Sequence, residues 1–183
     1  MSKQVFIETN QLLLRQWETD DLSAYASINT DPKVMEHFPS ILSKEESWNH
    51  LQKMQAQIQE KGFGLFALEL KREGCLIGFT GLGIPSFDAD FTPCVEIGWR
   101  IASPYWRKGF AFEAATACLD FAFSKIGLTE IFSFTATSNL ASENLMKKLG
   151  MEKWGEFEHP KLPMGHSLRR HVVYSISKSK KDA

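Results

Sequence analysis

The sequence predicts a mixed α/β domain, on three observations. Strand-like stretches dominate the middle of the chain, helical stretches interrupt them late, and no repeat, low-complexity segment or linker divides the 183 residues. Hydrophobic residues make up 43%, and fourteen Phe and five Trp supply large side chains for one core.

Residues 7–17 read as an opening strand, in which Leu12, Leu14 and Gln16 alternate with Leu13, Arg15 and Trp17. Thr19-Asp20-Asp21 offers short polar oxygens to cap a helix through Ile28, which Asp31-Pro32 ends. Ser43-Lys44-Glu45-Glu46 is a capping box, and its helix is expected to run to about Glu60 and stop before Gly62. Residues 64–70, 75–84 and 95–101 read as strands, with Gly74 in a hairpin turn between the first two. A helix over 112–125, a strand over 130–137 and a helix from about 140 to 149 follow. Residues 151–157 and 171–176 close the sheet, and Pro160, Pro163 and Gly165 mark the long connection between them. Lys178-Ser179-Lys180-Lys181 is expected to fray, so the single domain spans 1–177 and 178–183 form a flexible tail.

Charge excludes one function class. The net charge is −1 and no long basic tract occurs, so a dedicated nucleic-acid binder is not expected. Cys75, Cys94 and Cys118 are odd in number, lack paired metal spacing and lie in apolar segments, which predicts buried, reduced thiols and no metal. Met1-Ser2-Lys3-Gln4-Val5 lacks the apolar run of a signal peptide, and no apolar stretch is long enough to span a bilayer. A soluble cytoplasmic protein with no membrane partner is the expectation.

Trp106-Arg107-Lys108-Gly109-Phe110-Ala111, between a strand and a helix, reads either as an anion cradle or as an ordinary helix start with surface cations. A helix start leaves backbone N–H groups unpaired and partly positive, so it is a ready anion site. Gly109 lets the backbone approach a ligand closely, and Arg107 and Lys108 add full charges. It is not a P-loop, because Gly-x-x-x-x-Gly-Lys-Ser/Thr is absent. Gly78-Phe79-Thr80-Gly81-Leu82-Gly83 has the reversed spacing of a dinucleotide fingerprint and runs into Ile84-Pro85, so its glycines are read as admitting a neighbouring backbone.

The strand, this loop and the helix after it resemble motif A of the GNAT acetyltransferases, whose loop reads Gln/Arg-x-x-Gly-x-Gly/Ala. Trp106 departs at the first position, which leaves the backbone cradle intact. Tyr105-Trp106 before the glycine resembles the RimJ/RimL branch of that family. Glu8 to Arg15 with Asp20-Asp21-Leu22, and Asn139-Leu140-Ala141-Ser142 followed by Leu149-Gly150-Met151, resemble two further segments of that branch, in order.

The resemblance implies a mixed, bent central sheet flanked by helices, with its fourth and fifth strands splayed apart around acetyl-CoA. The pyrophosphate would rest on the amides of Arg107, Lys108, Gly109, Phe110 and Ala111. The pantetheine arm would pair with the backbone near Trp99 and Ile101, and Asn139 would contact it or cap a helix. An amine would attack the thioester directly, and it must first lose a proton. At neutral pH that costs about 1.4 kcal/mol for an α-amine and about 4.6 kcal/mol for a lysine side chain. Glu96 stands where some family members carry a glutamate base, or else it pairs with Arg100, its same-face neighbour. Glu158 is a second carboxylate in the closing region. Ser142 would hydrogen-bond the leaving thiolate, or cap its helix, and Met146 stands where many members have an acidic tyrosine. The segment from Glu158 to His171, with His159, His166 and Arg169, is expected to wall the acceptor site.

The expected function is therefore acetyl transfer from acetyl-CoA to a primary amine, on a protein N-terminus (a ribosomal protein among them) or a small molecule. A non-catalytic CoA-binding module and an N-acyltransferase using another acyl-CoA are the alternatives. A monomer or a homodimer is expected.

Overall fold

The computed structural model describes residues 3–181. The expectations for the first two residues and for the tail beyond Lys181 lie outside them. Where 7–17 read as one strand, the chain instead turns back on itself. β1 (Val5–Glu8) and β2 (Leu12–Arg15) pair antiparallel, and the Thr9 N–H donates to the Leu12 carbonyl at 2.9 Å. Polar Thr9-Asn10-Gln11 favours that turn, while the alternation through Leu14 and Arg15 hides it.

Helix α1 (Asp21–Thr30) follows Asp20, the middle residue of the expected Thr19-Asp20-Asp21 cap, whose side chain makes no capping bond. The neighbouring Asp21 carboxylate is drawn to Arg15, whose Nη1 and Nη2 each donate to it at 2.8 Å. Arg15 also donates Nε to Glu69 at 2.6 Å, so a buried cation has two anionic partners. Such a cluster is tolerated in a core because each guanidinium nitrogen has an acceptor. Helix α2 (Lys44–Lys61) makes both capping-box bonds, Ser43 N–H to Glu46 at 2.7 Å and Glu46 N–H to Ser43 at 3.1 Å, and ends on left-handed Gly62.

β3 (Leu65–Leu70), β4 (Cys75–Gly83) and β5 (Glu96–Ile101) follow, the first two joined through Gly74 at φ +63°. Gly78 and Gly81 admit neighbouring backbone as expected. A Cβ there would lie 2.0 Å from the Arg100 carbonyl oxygen and 1.9 Å from that of Gly64. Helix α3 (Phe110–Phe121) starts two residues before the expected Phe112 and continues through a wider turn, Ala122–Ile126. Then come β6 (Glu130–Ala136), α4 (Leu140–Lys148), β7 (Glu152–Glu158) and β8 (Arg170–Ser177). The eight strands form one sheet in the order β1-β2-β3-β4-β5-β6-β8-β7, in which β5 and β6 run parallel.

The expected frayed tail forms one helical turn as far as it is described, α5 (Lys178–Lys181), with Lys181 3.4 Å from Asp120. Of the three cysteines, Cys118 is buried, whereas Cys75 and Cys94 are half-buried and not fully enclosed as expected.

Helices cover both faces. Phe66 meets Phe121 edge-on at 6.0 Å, which places α3 on one face. Phe79, on the opposite face, packs near Tyr25 of α1 and His50 of α2 at 6.2 and 6.3 Å. Beyond β5 that second face is covered by the β4–β5 connection, whose Phe87 and Phe91 pack on Phe132, Phe134 and Phe157.

Candidate active site

The site begins where the sheet opens. β5 and β6 share one register position, Glu96 opposite Phe132. There the Phe132 N–H donates to the Val95 carbonyl and the Ser133 hydroxyl to the Ile97 carbonyl, both at 3.0 Å. Among the described residues no further pairing joins the two strands, so they diverge from that apex. The Ala102 N–H, in contrast, donates to Ile77 of the neighbouring β4 at 2.8 Å. Backbone groups alternate in direction along a strand, so the peptide groups of Trp99 and Ile101 face the opening. The Ile101 carbonyl is already engaged: the indole N–H of Trp106 donates to it at 2.7 Å. That bond gives the unusual first motif residue a structural task, locking the loop onto the end of β5.

The mouth of the opening is the start of α3. Arg107 adopts φ +59° and Gly109 φ +86°, the left-handed region that favours glycine. Arg107 holds that conformation against the steric cost of its Cβ, a strain of about 1–3 kcal/mol that clusters at ligand clamps. No side chain caps the helix at Gly109, and a Cβ built there would meet nothing within 4 Å. The earlier helix start puts the amides of Phe110 and Ala111 in the first turn, where N–H groups lack helical acceptors. Arg107 and Lys108 are exposed, and Lys108 Nζ lies 5.2 Å from the centre of the Tyr105 ring. These residues fit a pyrophosphate: an open, left-handed bend, free amides and two cations.

A carboxylate braces this turn from behind. Glu113 accepts from Thr9 Oγ1 at 2.6 Å, from the Gln11 N–H at 2.8 Å and from Gln11 Nε2 at 2.7 Å. Burial pushes its pKa up, but the three donors outweigh that and hold it below the usual carboxylate value. The hairpin that the sequence concealed is thus a clasp on the motif helix.

Glu96 sits at the apex. Burial raises its pKa to about 7, because low-dielectric surroundings disfavour the charged form. Its side chain is only half-buried, and among the described residues it makes no hydrogen bond or ion pair. The alternative pairing with Arg100 does not form. The Arg100 guanidinium donates Nη1 to Asn29 Oδ1 at 2.6 Å and lies over the Phe38 and Phe79 rings at 4.1 and 5.3 Å.

The remaining expected residues separate into engaged and unengaged groups. Asn139 caps α4 by accepting from the Ser142 N–H at 3.2 Å, and its Nδ2 donates to Thr135 at 3.0 Å, so its amide is held at both ends. Ser142 is therefore not the cap, and its half-buried hydroxyl has no partner among the described residues. Met146 is fully buried in the core. Glu158 is exposed and pairs with Arg169 at 3.0 Å, away from the low-dielectric setting of Glu96. His159 and His171 join the aromatic cluster, their ring centres 5.0 Å apart. Burial lowers both pKa values, that of His159 to about 4. His171 lies 6.3 Å from Phe134, which places this part of the closing segment on the same sheet face as Glu96.

Ser133, Phe38 and Asn29 also belong to these surroundings, and the motifs do not reach them. For Ser133 the strand alternation was the available signal; for the other two no local pattern exists.

Comparison with known families matches residues 11–152 to the acetyltransferase (GNAT) domain. An uncharacterized N-acetyltransferase, YnaD of Bacillus subtilis, is 31% identical over 171 residues, covering 93% of this chain and 95% of that one. A GNAT-family acetyltransferase from Bacillus anthracis superposes with a TM-score of 0.78 at 28% identity, covering 95% of this chain and 99% of the other. RimJ of Mycobacterium smegmatis, solved with CoA-disulfide, gives a TM-score of 0.73 at 18% identity over 92% of this chain and 82% of its own, a likeness of fold. With a domain match over most of its length, the chain belongs to the GNAT acetyltransferase family and is an N-acetyltransferase.

Proposed function

We propose that the protein transfers the acetyl group of acetyl-CoA directly to a primary amine, with Glu96 as general base. The observation that carries this reading is an unpaired carboxyl with a pKa near 7 at the apex of the β5–β6 opening. The donor's pyrophosphate lies on the amides from Arg107 to Ala111, and its pantetheine runs along Trp99 and the Ile101 N–H. The amine nitrogen gives a proton to Glu96, directly or through one water, and bonds to the acetyl carbon. The carbon–sulfur bond breaks, and the electron pair leaves on the CoA sulfur. Ser142 donates a hydrogen bond to that thiolate. With Met146 in the tyrosine position no side-chain acid is needed there, because a thiol with pKa near ~8.5 leaves without one.

The acceptor is a small-molecule amine or a protein α-amine, the latter in keeping with the RimJ/RimL resemblance of Tyr105-Trp106. A base poised near neutral pH favours catalysis over a module that merely holds CoA. Thiol release from acetyl-CoA with a panel of small amines and peptides tests the reading. Release is expected with at least one acceptor, and Glu96→Gln is expected to reduce its kcat/KM by about 100-fold. Ligand-induced stabilisation by CoA without thiol release from any amine would overturn catalysis. Faster turnover with a longer acyl-CoA would overturn the choice of donor.

A further inference from the structure

Glu96, Gly98 and Arg100 alternate along β5, so they lie on the one sheet face that carries α1 and α2. Gly98 leaves a gap between the two charged side chains. A Cβ built there would meet only Leu65 Cδ2, at 3.9 Å. Beside Glu96 stands Gly83, whose Cβ, if it had one, would come 3.1 Å from Glu96 Oε1. The strip from the carboxyl to the guanidinium is therefore floored by backbone, and its two end Cα atoms are about 13 Å apart along an extended strand.

Arg100 closes the far end. It is 8% exposed, and among the described residues no carboxylate pairs with it. Nη1 is taken by Asn29, while the buried Nε has no hydrogen-bond partner. Its other electrostatic neighbours are the Tyr25 hydroxyl and His50, whose own pKa is lowered to about 4, first by burial and then by Arg100 and Lys53. Taking a guanidinium from water without an opposite charge is costly, and two rings and one amide offset only part of that. The Arg15 cluster shows the contrast, since there the same fold supplies two carboxylates to a buried guanidinium. With Nη1 engaged and Nε closed to solvent, Nη2 is the donor left for a carboxylate.

We propose that this trough selects a small amine bearing a carboxylate, with the carboxylate on Nη2 of Arg100, the amine at Glu96 and the connecting chain across Gly98. The inference rests on the transfer reaction proposed above and narrows its acceptor.

The test is thiol release from acetyl-CoA with a ladder of ω-aminocarboxylates, from glycine to 6-aminohexanoate, and with glycylglycine, each beside its carboxamide. The best carboxylate is expected to exceed its carboxamide by about tenfold or more in kcat/KM, the worth of a charged hydrogen bond. Arg100→Gln is expected to remove that ratio, chiefly through the acceptor KM, and to leave the KM for acetyl-CoA unchanged. The comparison in the unsubstituted protein needs no variant to fold. Equal rates for carboxylates and carboxamides would overturn the proposal, as would turnover of peptide N-termini alone; both leave the transfer reaction standing. Should no amine release thiol, the transfer reading fails separately. Calorimetric titration of 4-aminobutyrate and of its carboxamide into the CoA-loaded protein then decides. Preferential binding of the carboxylate, lost in Arg100→Gln, supports the trough; equal binding overturns it.

Discussion

Ser133 donates its hydroxyl to the Ile97 carbonyl at 3.0 Å, one residue past the position where β5 and β6 pair. A side chain therefore bridges the strands just where their backbones part. Ser133→Ala leaves a carbonyl at the apex without that donor. The variant is expected to lose about 1–2 kcal/mol in chemical denaturation. Its KM for acetyl-CoA should rise, because the bond sets the angle of the opening.

The Glu96 carboxyl has a folded-state pKa of about 7 against 4.5 for the free group. Its charged form is thus disfavoured by folding. Below pH 4.5 the burial costs nothing, and the penalty grows as pH rises from there through 7. Glu96→Gln is therefore expected to be more stable than the parent at pH 8, by on the order of 2 kcal/mol, and equal to it at pH 4. The same titration predicts that kcat/KM of the parent rises up to about pH 7 and then levels. Thermal unfolding at both pH values and a pH–rate profile check the two limbs.

Glu113 has the opposite sign. Its pKa is held below 4.5 despite burial, by donors from Thr9 and Gln11. Its stabilisation is full above that value and fades as pH falls through the lowered pKa. Glu113→Ala should cost about 2 kcal/mol at pH 7 and weaken acetyl-CoA binding, with the stability gap to the parent closing in acid. Denaturation at pH 7 and pH 3 measures it.

Gly109 stands at φ +86° with open space where a Cβ would go. Gly109→Ala should destabilise the protein by about 1 kcal/mol through backbone strain alone. A larger effect is expected on donor affinity, since the new methyl projects into the open bend at the start of α3. Calorimetric titration with CoA separates the two: affinity falls by more than the stability loss explains.

Features written within a few residues were legible. Ser43 and Glu46 formed their box, Gly62 and Gly74 took left-handed turns, and the strand glycines made room for neighbouring backbone. The misreadings share one cause. Thr19-Asp20-Asp21 reads as a cap for α1, but Asp20 makes no capping bond and Asp21 is captured by Arg15, itself held by Glu69 54 residues away. The pairing of Glu96 with Arg100 followed strand alternation correctly, yet Asn29, 71 residues away in sequence, claims the guanidinium. The opening strand hid a hairpin because its turn is enforced by Glu113, more than 100 residues on.

The sequence by itself determined the fold class and the family, and it marked the loop proposed to hold the donor, because a strand end, a glycine bend and a helix start are local and set by backbone sterics. The proposed acceptor side was decided by tertiary structure alone. It is assembled from α1, the α1–α2 connection, β4, β5 and the closing strands, and the charge state of Glu96 and the partners of Arg100 depend on which of these exclude water around them. Burial is a property of the packed assembly, and no run of neighbouring residues encodes it.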